Sequence, residues 1–163
     1  MMAHPLVGNI ESLLPALHAQ RSLVGLDVGS KTLGVAVADR LGLTATALET
    51  IARTKFTADA NRLQTLLATR QIGGLVIGLP LNMDGSEGPR CQSVRQFGEN
   101  LAPVLALPIA FWDERWSTAA VTRRMIDADL TRAQRAKRVD GLAAEWILQG
   151  ALDRLRTMKA LSE

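Results

Sequence analysis

The spacing of apolar positions changes along the chain, and those changes divide it into elements. SLVGLDV (22–28) is almost continuously apolar, as in a strand covered on both faces, and LGVAVAD (33–39) repeats the pattern after GSKT. The two predict a hairpin, and TALETI (46–51), following Gly42, predicts a third strand that completes a meander. In 57–70 the period lengthens: Ala60, Leu63, Leu66, Leu67 and Arg70 form a helical stripe that Gly73 and Gly74 stop. GLVIGLP (74–80) is the next apolar run, ended by Pro80 and followed by the loop LNMDGSEGPR. A helix is expected over about 88–101 with Val94, Phe97 and Leu101 inward, then a last strand at LPIAFW (107–112). Ser117 or Thr118 then caps a helix running to about Asp127. A polar link, DADLTRAQRAKR, leads to a final helix whose apolar face carries Val139, Leu142, Ala143, Trp146, Ile147 and Leu155. Residues 1–20 read as a short, weakly helical extension, with Ile10, Leu13, Leu14 and Leu17 at helical spacing and Pro15 interrupting them.

The order β-β-β-α-β-α-β-α-α predicts an α/β fold. It has one mixed five-stranded sheet, a three-strand meander followed by β-α-β units, and helices on both faces. A chain of 163 residues suits one compact domain, expected over 21–158 behind the extension. The apolar fraction, 47%, is enough for a core, and no apolar run is long enough to span a bilayer. The first residues lack a basic stretch and carry Glu11, so they do not read as a secretory signal. A lone cysteine, Cys91, fits a reducing cytoplasm. The net charge of +3 argues nothing alone. Its distribution says more: Arg115, Arg123, Arg124, Arg132, Arg135, Lys137 and Arg138 stand against Asp127 and Asp129. That excess is either a phosphate-backbone footprint or a solvated helix face.

Three acids fall where packing alone rarely puts them. Asp27 ends the first strand, Glu114 follows the last, and Asp140 opens the final helix beside Gly141 and Ala143-Ala144. Small residues there let the helix approach the sheet. If the first and last strands are neighbours, the three carboxylates converge, and a cation between them relieves their repulsion. Oxygen donors suit Mg²⁺ or Mn²⁺. Two such ions, roughly 4 Å apart, activate water and stabilise the leaving oxygen in phosphodiester hydrolysis. Each acid also has a plainer reading. Asp27 can bond the GSKT turn, Glu114 can pair with Arg115 or Arg123, and Asp140 can serve the helix dipole. Other chemistries fit worse. No P-loop or GxGxxG run is present. His4 and His18 both lie in the extension, and Cys91 reads as a half-buried thiol without a histidine at a strand end.

GLDVGSKTLGVAVAD, VIGLPLNMDGSEGPRCQSVRQF, DERWST and D-x-L-A-A-x-x-I-L-Q (140–149) together resemble the motifs of the YqgF family, from about Leu23 to Leu155 and in the family's order. The resemblance implies an RNase H-like core and a role for Asp27, Glu114 and Asp140 as the carboxylates that hold divalent metal. It implies that the GLPLNMDGSEGPR loop borders the active site, with Asn82, Ser86 and Arg90 touching the nucleic-acid backbone and Gly85 and Gly88 shaping the turn. Lys31 would contact substrate, and Arg115 and Thr118 would support Glu114 or the substrate. Many relatives carry Lys-Arg after the first glycine turn; here the pair is Lys31-Thr32, so one basic contact is missing.

The function expected on these grounds is that of a cytoplasmic, metal-dependent endonuclease, a hydrolase acting on structured nucleic acid with Mg²⁺ or Mn²⁺. Its task would be processing the 5′ end of precursor 16S rRNA in ribosome biogenesis. Cleavage of branched DNA as a Holliday junction resolvase is the first alternative, and it would require a symmetric homodimer where rRNA processing would allow a monomer. A non-catalytic nucleic-acid-binding factor in ribosome assembly is the second. A phosphotransferase of the actin and sugar-kinase type also opens with D-x-G after a first strand, but needs two such domains, and this chain is too short for both.

Overall fold

The computed structural model describes residues 4–113, 115 and 132–162, the stretch 132–140 through its backbone alone. Its elements are β1 (Val7–Gly8), a 3-10 turn (Ile10–Leu13), α1 (Leu14–His18), β2 (Ser22–Val28), β3 (Thr32–Ala38), β4 (Ala45–Ala52), α2 (Phe56–Leu67), β5 (Ile72–Leu79), α3 (Pro89–Leu105), β6 (Ile109–Asp113) and α4 (Arg132–Ser162). The helix expected from Ser117 or Thr118 to Asp127 lies outside the described residues.

The sheet has the order β1-β6-β5-β2-β3-β4. β2, β3 and β4 form the expected antiparallel meander, while β5 runs parallel to both β2 and β6. The carboxyl ends of β2, β5 and β6 therefore share one edge of the molecule. The sheet has six strands rather than the five expected, because Val7 and Gly8 pair in parallel with Ile109 and Ala110. A two-residue strand has no period to read, which is why the first twenty residues looked only helical. Pro15 does not interrupt α1 but sits in its first turn, where its missing N–H has no partner to lose.

Strand alternation sorts the side chains into two layers. Val24, Leu26, Val28, Leu33, Leu75 and Ile77 face α2 and α3, forming one core with Leu63, Val94 and Leu101. Leu23, Ala36, Ala38, Val76 and Ala110 face α4, together with Ile147, Leu148, Ala151 and Leu152. The second layer is built of small residues on the sheet side, so α4 lies close to it. A Cβ on Gly25 would stand 2.7 Å from Leu148 Cβ and 2.8 Å from the Ala144 carbonyl oxygen. α4 also begins earlier than expected. Arg132–Arg138, expected within the polar link, are helical in their backbone, and Arg, Ala, Gln and Lys are all strong helix formers.

Candidate active site

Alternation along β2 decides where Asp27 points. Val24, Leu26 and Val28 belong to the α2/α3 layer, so Leu23, Gly25 and Asp27 share the α4 face. Asp27 is half-buried in the last turn of the pleat, paired across to Gly34. On α4, Ala144 and Leu148 meet Gly25, and the backbone of Asp140 stands one turn before Ala144. Gly141 lies against Ala47 and Thr50, and Leu152 near Gly42, so α4 runs antiparallel to β2. One helical turn and two strand residues cover nearly the same length, about 5–7 Å. The backbone position of Asp140 is therefore level with Asp27 at the carboxyl edge of the sheet. Glu114 and Thr118 lie outside the described residues, as does the Asp140 side chain. Among the described residues no three carboxylates, imidazoles or thiols converge into a metal-binding cluster.

The loop after β5 is compact and internally bonded. Asn82 N–H donates to the Ser86 carbonyl, Gly85 N–H to the Asn82 carbonyl, and Asn82 Nδ2 to Ser86 Oγ at 3.0 Å. Asp84 Oδ1 accepts from Ser86 N–H and Oγ, and those hydrogen bonds lower its pKa. Gly85 has φ +90°, the left-handed region that favours glycine. Arg115 fastens this loop to the end of β6. Its Nη2 donates to Asp113 Oδ2 at 2.9 Å and its Nη1 to the Met83 carbonyl at 3.2 Å. Partial burial opposes ionisation of Asp113, but the hydrogen bonds and charge of Arg115 together outweigh it and leave the carboxyl below its usual value.

Lys31 is exposed on the β2–β3 turn, and Arg90 is exposed in the first turn of α3. Cys91 is fully buried rather than half-buried. Sequence reasoning passed over Arg53. Thr32 pairs with Ala52, so Arg53, the residue just after β4, comes back beside the β2–β3 turn, and Arg53 N–H donates to the Lys31 carbonyl. Counting the meander register would have found it.

The chain is similar to known proteins in sequence and in fold. A curated relative from Ruegeria sp. (strain TM1040) is 57% identical over 92% of this chain and 96% of its own length, and one from Rhodopseudomonas palustris (strain HaA2) is 60% identical over 86% and 88%. Both carry the provisional name pre-16S rRNA nuclease. Among solved structures, Thermus thermophilus RuvC in complex with Holliday junction substrate shares the fold with TM-score 0.51 at 15% identity, over 82% of this chain and 94% of that one. The core is thus RNase H-like, as the motifs implied. The family model described as RuvX, Holliday junction resolvase, matches residues 21–154, and the chain belongs to that family.

Proposed function

We propose that this protein is a divalent-metal-dependent endonuclease that hydrolyses phosphodiester bonds of structured nucleic acid, with precursor 16S rRNA as its substrate in the cytoplasm. The observation that carries the reading is Asp27: a carboxylate at the carboxyl edge of three parallel strands, turned to the α4 face at the level of Asp140. Ligands in open α/β sheets bind at that edge. Asp27, Glu114 and Asp140 would hold the metal, and an all-carboxylate donor set fits Mg²⁺ or Mn²⁺. A pair of such ions supplies an activated water and offsets charge on the leaving oxygen. The protein's own residues orient the strand. Lys31 on the turn and Arg90 on α3 offer phosphate contacts, and Asn82 and Ser86 present a preformed loop. Arg115 holds that loop to β6, and Thr118 supports Glu114.

The test is cleavage of a precursor 16S rRNA end fragment and a synthetic four-way junction, in Mn²⁺, Mg²⁺ or EDTA. Asp27→Asn is expected to abolish metal-dependent cutting while binding and folding persist, with the RNA fragment cut in preference. Preferred cutting of the junction would support the second reading, resolution of branched DNA, which the family's description favours. Binding of both probes with cutting of neither by the wild type would overturn the catalytic reading in favour of a binding factor.

A further inference from the structure

A cavity of about 330 Å³ opens at the same edge of the sheet, on the face opposite Asp27. Its wall includes Val28, Gly29, Ser30, Arg53, Arg90 and Ser93, so it begins one residue past Asp27. Arg53 is fixed in that wall from three sides. Its Nη1 donates to the Gly29 carbonyl at 2.5 Å, its guanidinium lies 5.2 Å above the centre of the Phe97 ring, and its Nε stands 3.9 Å from Asp59 Oδ2. Asp59 is itself buried and held by Thr54 N–H at 3.0 Å. Of the five N–H donors of this guanidinium, one has a hydrogen-bond acceptor among the described residues. Across the cavity, Arg90 is exposed, and among the described residues no ion pair or hydrogen bond compensates its charge. The first turn of α3 holds no acid, so Arg90 stands at the positive end of the helix with no carboxylate in that turn to offset it.

We infer that this cavity is a phosphate subsite for the backbone of the bound nucleic acid, holding a phosphodiester other than the one cut. Two guanidinium groups and the hydroxyls of Ser30 and Ser93 match an oxyanion with several acceptor oxygens. Asp59 cancels one of the two positive charges, which leaves the pocket net cationic. The anchoring of Arg53 removes much of the entropy cost of grasping a phosphate. The site rests on the nuclease reading in one respect: the strand that reaches Asp27 must cross the end of β2, and the cavity is what it meets on the other side. It also gives the chain a basic contact near the turn where Thr32 stands in place of the second basic residue.

The experiment measures binding of a fluorescent single-stranded RNA and of a four-way DNA junction by the full chain across a salt series, alongside cleavage and thermal melting. Arg53→Gln should lower the slope of log affinity against log salt by about 1, weakening both probes alike, as for loss of one phosphate contact. Arg90→Gln, at an exposed position, should lower it similarly with an unchanged melting temperature. That second variant keeps the test open if Arg53→Gln folds poorly. An unchanged slope in Arg90→Gln, or in a folded Arg53→Gln, would overturn the subsite. A lowered melting temperature with an unchanged slope would show a purely structural arginine and overturn it too. In either case cleavage that is lost in Asp27→Asn would leave the nuclease reading standing. Failure of the wild type to bind either probe would remove both.

Discussion

Cys91 occupies the first turn of α3 with no exposed surface, and its Sγ donates to Glu87 Oε1 at 3.2 Å. Burial pushes the thiol up to about 11, and the hydrogen bond and charge of Glu87 push it the same way. Arg95, bonded to that carboxylate at 2.5 Å, keeps Glu87 ionised by lowering its pKa. The native state therefore holds the thiol proton more tightly than the unfolded chain does. Its contribution to stability is complete below about pH 9 and lost as pH rises to about 11. Urea unfolding should show a steeper loss of stability over that window in the wild type than in Cys91→Ala, and a thiol reagent at pH 8 should modify the protein only when it unfolds. Parallel pH curves for the two proteins would refute this. Residues of the candidate site differ in how far the sequence reveals them. Asp27 is legible because a lone acid interrupts an apolar strand. Arg53 is not, because a single arginine after a strand looks like any surface cation until the meander returns it to the β2–β3 turn.

At the scale of elements, the long periods were legible and the short ones were not. β2 needed no correction, and β5 and α3 were recognised with shifted ends, since each carries several apolar positions at one spacing. The amino-terminal segment shows the opposite case. β1 is two residues long, and the turn and helix after it are one or two turns each, so neither propensity nor period speaks clearly. What holds them is tertiary: Leu13 is completely buried, with Cδ2 set where a Cβ on Gly74 would be 2.6 Å away. Leu13→Ala is expected to destabilise the whole domain by about 2–5 kcal/mol, the range for deleting a large buried aliphatic side chain. Denaturant melts that agree between variant and wild type would show the segment to be a loosely attached appendage instead.

The whole molecule is a sheet whose two faces are packed differently, and the difference bears on function. The α2/α3 face is filled by large side chains, whereas the α4 face uses Gly25, Ala36, Ala38 and Ala110 to let one long helix lie close. That closeness carries α4 across β2 with the backbone of Asp140 level with Asp27, so packing at Gly25 sets how near that part of the helix lies to the end of β2. A Cβ at Gly25 meets Leu148 Cβ and the Ala144 carbonyl, both attached to helix backbone, so neither can swing away. Gly25→Ala must lift the helix, at a cost of about 1–3 kcal/mol as for other overpacked cores. Well below its melting temperature, the folded variant should also lose metal-dependent cleavage, because the acids are drawn apart. Gly8→Ala is the control: its Cβ would make ordinary contacts at 3.6 Å with Ser12, so stability and cleavage should both survive. If Gly25→Ala melts early yet cuts normally, the spacing of α4 and β2 does not govern the chemistry. Reduced melting together with reduced cleavage, and neither in Gly8→Ala, would tie the small-residue face to the positioning of the proposed metal-binding acids.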